Sequence, residues 1–74
     1  MKSLDTFLKE KRKAAQMTQE EFAQRAGVAL TVVRKIEQGK ENLQLEKVNH
    51  VLRMFGHVLV PVAMKEVDDA KKKI

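Results

Sequence analysis

The side chains of this sequence that could take part in chemistry are mostly cations, and their placement suits the binding of an anion. Fifteen Lys and Arg residues stand against ten Asp and Glu residues, which gives a formal net charge of +5. Residues 1–40 hold nine of these cations and five of the acidic residues, so most of the excess charge lies in this half. A polyanion such as a nucleic acid would bind there, although a solvated surface explains the same charge equally well.

Patterns that carry out catalysis or hold a metal are absent from the sequence. Glu20-Glu21 and Asp68-Asp69 are adjacent pairs, and adjacent carboxylates on a helix point apart instead of converging on one substrate. His50 and His57 have no companion ligands at a metal-binding spacing, and the chain contains no cysteine. No glycine-rich phosphate-binding loop occurs. We therefore expect no enzyme activity, no metal and no cofactor.

The length of the chain and its apolar runs predict one small domain in the cytoplasm. Seventy-four residues are close to the lower limit for a single core without disulfides, so dimerisation is a natural source of further stability. The longest apolar run, residues 58–64, is too short to span a membrane. The absence of cysteine fits a reducing compartment. We expect a soluble cytoplasmic protein with no membrane partner.

Helical periodicity and capping residues define two short helices in the first half of the chain. Residues 3–15 carry a narrow apolar stripe, and Ser3 is suited to the N-cap position. Thr18 and Glu21 have the spacing of a capping box, which predicts the start of a second helix. Gly27 ends that helix, because the turn that follows requires a left-handed backbone.

Two further helices are predicted in the second half of the chain. The third, residues 30–38, buries Val33 and Ile36 and ends at Gly39. The fourth begins after a polar loop and closes at Gly56. Its apolar face is predicted to hold Leu45, Val48, Leu52 and Phe55.

The periodicity changes at residues 57–63, which are rich in valine and predict a short β-strand. Pro61 lacks an N–H group, which suits an edge strand. A lone strand has nothing to pair with in an otherwise helical chain, so we expect it to pair with the same strand of a second copy. The residues predicted to form this dimer contact are Val58, Val60 and Val62. Residues 64–74 are predicted to be a polar tail.

Together the second and third helices have the form of a helix-turn-helix unit, in which the second helix of the pair enters the DNA major groove. The unit needs a short capped first helix, a tight turn and a second helix with one buried and one polar face. Residues 18–39 meet these requirements, although any small three-helix core can have a similar spacing. The face opposite Val33 and Ile36 is predicted to present Leu30, Thr31, Arg34 and Lys35.

The residues of this unit resemble the Cro/C1-type (Xre-like) repressor family. The resemblance is carried by residues 17–28, followed by Val33, Ile36-Glu37 and Gly39, and it extends over about residues 4–55. It implies an all-α, lambda-repressor-like fold of four to five helices with a DNA-binding domain at residues 1–56. Double-stranded DNA with a palindromic operator is then the expected partner.

The same resemblance implies roles for individual residues. Bases in the groove would be contacted by Leu30, Thr31, Arg34 and Lys35. Phosphates would be contacted by Thr18, Gln19 and Lys40. Arg12 and Glu37 occupy the positions of a structural ion pair between the first and third helices. Ala29 departs from the family, which often has Ser or Thr there to cap the third helix.

Residues 45–56, followed by the valine-rich strand, resemble HipB-type antitoxins. This second resemblance implies a homodimeric repressor that also binds a HipA-type serine/threonine kinase toxin. A stand-alone or phage-type repressor remains an alternative. So does a protein-binding module that neutralises a partner with little DNA specificity.

Overall fold

The computed structural model describes residues 3–65, which form four α-helices followed by a short 3₁₀ helix. The helices are α1 (Leu4–Ala14), α2 (Gln19–Ala26), α3 (Leu30–Glu37), α4 (Leu45–Leu52) and the 3₁₀ helix (Arg53–Phe55). The all-α core predicted from the sequence is therefore confirmed. Most of the predicted polar tail, residues 66–74, lies outside the described part of the chain. None of the described helices is long and apolar enough to cross a membrane.

The predicted cap of α2 is present, and it fixes where the helix begins. The Glu21 N–H group donates to Thr18 Oγ1, and the Thr18 N–H group donates to Glu21 Oε1, each at 3.1 Å. Gly27 closes the other end of α2 with φ +71°. Ser3 lies at the N-cap of α1, but its hydroxyl donates to Thr6 Oγ1 and does not cap the helix.

One apolar core joins the four helices. It consists of Leu8, Phe22, Ala23, Ala26, Val33, Ile36, Val48, Val51 and Leu52. Burial of a large apolar side chain stabilises a fold by about 1.5–3 kcal/mol, so these contacts hold together helices too short to be stable alone. The Phe55 ring stacks on Phe22 with centroids 5.6 Å apart, which attaches the 3₁₀ helix to this core.

The fourth helix differs from the prediction at both ends. The sequence predicts that Leu45 is buried, but 61% of it is exposed because it starts α4, one turn before Val48 enters the core. The same prediction continues the helix to Phe55, but the last turn tightens into the 3₁₀ helix. Gly56 closes that turn with φ +69°, and the His57 N–H group donates to Leu52 O at 3.1 Å.

Residues 57–63 have no regular secondary structure in the single chain, so the predicted strand is not present there. A strand requires ladder hydrogen bonds from a neighbour, and the neighbour predicted for this segment is a second copy of the chain. The strand and its pairing across a homodimer therefore stay predictions.

Candidate nucleic-acid interface

The turn between α2 and α3 positions the two helices of the predicted unit. The Val28 N–H group donates to Ala23 O at 3.1 Å, and the Gly27 N–H group donates to Gln24 O at 3.3 Å. Val28 is half-buried against the core. These bonds satisfy the last carbonyl groups of α2 and turn the chain sharply into α3. Ala29 is the N-cap residue of α3 and provides no side-chain cap, because a methyl group cannot accept a hydrogen bond.

The outer face of α3 is polar and basic. Val33 and Ile36 are buried, whereas Thr31, Arg34 and Lys35 are exposed. Such side chains can reach base edges in a major groove, and an arginine can bind a guanine through two hydrogen bonds. Leu30 differs from the other predicted base contacts, because it is half-buried and packs against the core. Only part of its side chain is left for an apolar contact.

Two of the predicted phosphate contacts, Thr18 and Lys40, are exposed, whereas Gln19 is half-buried. Gln19 Nε2 donates to Glu37 Oε1 at 3.2 Å, so its amide is held toward the protein. A primary amide carries two donor hydrogens, so one remains for a second acceptor. At the start of α2 the helix dipole also favours an anion.

Glu37 is the centre of a hydrogen-bond network that joins three helices. Arg12 Nε donates to Glu37 Oε2 at 2.7 Å, and Arg12 Nη2 donates to Glu37 Oε1 at 3.0 Å. The Arg12 side chain is only 14% exposed and the Glu37 side chain only 3%. Arg12 Nη1 also donates to Met17 O at 2.9 Å, which fastens the turn between α1 and α2. The two residues assigned to an ion pair are therefore in bidentate contact, and the same carboxylate holds Gln19.

The electrostatics of this network favour the ionised pair. Burial alone would raise the pKa of the Glu37 carboxyl, but hydrogen bonds from Arg12 and Gln19 outweigh burial and hold this pKa below its usual range. The hydrogen bond to Glu37 in turn raises the pKa of Arg12. Both groups are charged at neutral pH, so each compensates the desolvation of the other.

Sequence reasoning missed a contact between the two helices of the unit. Glu20 Oε1, in the first turn of α2, lies 3.7 Å from Arg34 Nη2. Both side chains are largely exposed, so this contact adds little to stability. It does place a carboxylate beside an arginine that is predicted to read a base. No local pattern marks the pair, because it depends on how α2 and α3 pack.

A groove beside α3 adds three polar residues that the sequence did not single out. Asn42, Gln44 and Lys47 line it together with Thr31 and Lys35. Lys47 therefore extends the cationic surface of α3 onto α4. The available signal was the pair of amide side chains in the loop before α4, since Asn and Gln are among the residues that contact phosphates. Within residues 3–65, no three His, Cys, Asp or Glu side chains are grouped as a metal site.

Comparison with known protein families supports the fold independently. The helix-turn-helix family profile matches residues 8–57, which run from within α1 to just after the 3₁₀ helix. No curated protein gives a significant match to the chain. The matched range covers more than half of the sequence and contains Thr18, Gln19, Arg34 and Lys35. The chain therefore belongs to the Cro/C1-type helix-turn-helix family of DNA-binding transcription regulators.

Proposed function

We propose that this regulator is a sequence-specific repressor that binds a palindromic operator as a homodimer. The observation that carries the proposal is the outer face of α3, where Arg34 and Lys35 are exposed beside the capped start of α2. A domain that only bound protein would have no need for this combination. Occupancy of the operator would block transcription from the promoter that contains it.

Base recognition is assigned to the outer face of α3. Arg34 or Lys35 would donate to a guanine edge, and Thr31 would contact a base or a thymine methyl group. Leu30 would add an apolar contact through its exposed part. Each good bidentate contact discriminates between bases by about 1–3 kcal/mol.

Phosphate contacts would fix how α3 enters the groove. Thr18 is exposed just before α2, and Lys40 is exposed shortly after the end of α3. Gln19 is held by Glu37, so its free amide hydrogen has a restricted direction. Contacts of this kind orient a protein on the duplex but carry no sequence information directly.

A homodimer is proposed because the C-terminal segment leaves valine side chains exposed within the described part of the chain. Val58 is 57% exposed and Val60 is 64% exposed. Two copies would place their recognition helices about 34 Å apart, one turn of DNA. Deleting residues 57–74 should give a monomer that binds the operator poorly, which sedimentation and DNA titration would measure. A truncated chain that still sediments as a dimer would contradict this role for the segment.

Selection from random DNA tests the proposed specificity and identifies the preferred site in the same experiment. The expected result is an enriched palindrome whose half-sites are about 10–10.5 base pairs apart, one helical turn. The Arg34→Ala variant should relax the preference at particular positions, and Arg53→Ala is a charge-matched control in the 3₁₀ helix. Enrichment of no sequence, with binding retained, would indicate a non-specific basic domain.

We further propose that the repressor is the autoregulating antitoxin of a HipBA-like system. The support is the resemblance of residues 45–56 and the valine-rich segment to HipB-type antitoxins, together with the exposed apolar surface of that segment. The test is to express the chain with a HipA-type kinase encoded beside it and to measure growth and co-purification. Rescue of growth with a stable complex supports the antitoxin role, whereas operator binding without either result favours a stand-alone or phage-type repressor. Rescue without operator preference would favour a module that only neutralises its partner.

A further inference from the structure

The second residue of α2 is an acidic side chain that faces the basic surface of α3. Glu20 is exposed at this position. Its neighbour Glu21 forms the capping box of α2, and Gln19, on the other side, donates to Glu37. Of these three consecutive side chains, Glu20 is the one whose partner lies on the outer face of α3, since its Oε1 atom is 3.7 Å from Arg34 Nη2.

The position of Glu20 carries a cost for DNA binding. The start of α2 is proposed to contact phosphates, and a carboxylate there repels them. Glutamate in the first turn of a helix stabilises that helix through the helix dipole. This benefit is not particular to Glu20, because Glu46 occupies the same position in α4. Within residues 3–65 Glu46 has no cation at ion-pair distance, so the contact with Arg34 is what distinguishes Glu20.

The contact with Glu20 leaves the Arg34 guanidinium able to bind DNA. At 3.7 Å the two groups are close enough for an ion pair but too far apart for a hydrogen bond. A guanidinium presents several N–H donors in one plane, and the Arg34 side chain is 50% exposed. A guanine edge requires two of these donors. Arg34 can therefore bind a base while its Nη2 atom stays near the Glu20 carboxylate.

We infer that Glu20 is a positioning residue that lowers the binding of Arg34 to phosphates and keeps this arginine available for base edges. The inference deepens the sequence-specific repressor of the proposed function and rests on it. On DNA without a matching base, Arg34 can gain only a phosphate, and this anion must replace the Glu20 carboxylate or be repelled by it. A guanine edge is neutral, so on a matching site Arg34 keeps Glu20 as its counterion while it donates to the base.

The exposure of the pair sets the size of the effect. An exposed ion pair changes an equilibrium by about twofold to fivefold. Glu20 should therefore lower the affinity for unrelated DNA by about that factor and leave the affinity for the matching site almost unchanged. Lys35, the next residue of α3, is an internal comparison. It is also exposed, but within residues 3–65 it has no carboxylate at ion-pair distance.

Titrations of Glu20→Gln on the selected site and on scrambled DNA of equal length test the inference. Binding to scrambled DNA should strengthen about twofold to fivefold, while binding to the selected site changes by less than about twofold. The salt dependence on scrambled DNA should steepen by up to about 0.9 in logarithmic slope, because Arg34 then displaces one more counterion. Glu46→Gln removes the same charge from the same helix position, and this control should leave the ratio of the two affinities unchanged.

A double-mutant cycle shows whether Glu20 acts through Arg34. In the Arg34→Ala background, Glu20→Gln should change binding to scrambled DNA no more than Glu46→Gln does. In the Lys35→Ala background, the full effect of Glu20→Gln should persist. An equal strengthening with and without Arg34 would overturn the inference, because Glu20 would then repel phosphates without involving the arginine.

Failure of this inference can be told apart from failure of the proposed function. If the native protein and Glu20→Gln prefer the selected site by the same factor, the role of Glu20 alone is contradicted. If selection enriches no sequence but the cycle on scrambled DNA still couples Glu20 to Arg34, the repressor is contradicted and the effect of Glu20 on phosphate binding is supported. A chain that binds neither DNA would contradict both.

Discussion

The network around Glu37 and the C-terminal segment differ in how completely their side chains find contacts within the described part of one chain. At Glu37, a buried carboxylate receives hydrogen bonds from Arg12 and Gln19 of the same chain. Within residues 3–65 no buried side-chain N or O atom is left without a hydrogen-bond partner. In the C-terminal segment, the N–H groups of His57 and Leu59 are bonded to the domain, but Val58 and Val60 are more than half exposed.

This contrast separates the two tasks that the proposed dimeric repressor must perform. The helix-turn-helix unit is complete within one chain, so the shape of its DNA-facing surface does not depend on a second copy. The C-terminal segment leaves Val58 and Val60 exposed, as expected of half an interface. Substitutions in the first region should therefore change stability or DNA contacts, whereas those in the second should change assembly.

The largest effect is expected from removing the centre of the Glu37 network. Glu37→Ala leaves the Arg12 guanidinium buried without its partner, and loss of one member of a buried pair costs about 3–5 kcal/mol. Urea denaturation should show this loss in the free energy of unfolding. Glu46→Ala, an exposed residue in the first turn of α4, is the control and should change stability by no more than about 0.5 kcal/mol. If Glu37→Ala lowers the free energy of unfolding by less than about 1 kcal/mol, the stabilising role assigned to the buried pair is contradicted.

A smaller effect, on DNA binding alone, is expected on the outer face of α3. Arg34→Ala should weaken operator binding by about 1–3 kcal/mol if Arg34 reads a base. Its stability should stay within about 0.5 kcal/mol of the native protein, because the side chain is exposed. Titrations on the selected site and on scrambled DNA measure the difference. Equal weakening on both DNAs would instead make Arg34 a phosphate contact.

The turn between α1 and α2 offers a smaller, stabilising change. Gln16 has φ +57°, the one non-glycine residue with positive φ in the described chain. A left-handed backbone costs an L-residue about 1–2 kcal/mol, and glycine avoids this cost. Gln16→Gly should therefore raise the free energy of unfolding by about 1 kcal/mol, measured by thermal or urea denaturation. Gln24→Gly, inside α2, is the matched control and should lower it by about 0.5–1 kcal/mol; a loss at both positions would contradict the strain assigned to Gln16.

The pH dependence of stability distinguishes the Glu37 network from other carboxylates. Because folding lowers the pKa of Glu37, its ionised form stabilises the protein above the unfolded-state value near 4.5, and this contribution is lost as the pH falls through the folded-state pKa. Unfolding curves of Glu37→Gln should depend less on pH below about 5 than those of the native protein. Some slope should persist, because the pKa values of Asp5 and Glu21 are also lowered by hydrogen bonds. If the pH dependence of unfolding is unchanged in Glu37→Gln, the pKa of Glu37 is the same in the folded and unfolded states.

Local signals made much of the fold predictable. The start of α2 follows from Thr18 and Glu21, and its end follows from Gly27, since capping depends on residues close in sequence. The pairing of Arg12 with Glu37 came from the family resemblance, because no periodicity links two residues so far apart. Leu45 shows the limit of periodicity, which gives the face of a helix but not how far its first turn lies from the core.

The remaining features of the site depend on tertiary packing. The bond from Gln19 to Glu37 and the contact between Glu20 and Arg34 form only when α2 lies against α3. Likewise, no local pattern indicates the hydrogen bond from the Leu59 N–H group to Asn49 Oδ1, which attaches the C-terminal segment to α4.

A salt-series DNA titration of the purified protein tests sequence-specific binding by a dimer most directly. Its two targets are the chain's own upstream promoter region and scrambled DNA of equal length. We expect a preference for the promoter of about a thousandfold or more at physiological salt, with two subunits bound per site. Equal and steeply salt-dependent affinity for both DNAs would contradict specific repression, because such binding comes from phosphate contacts alone.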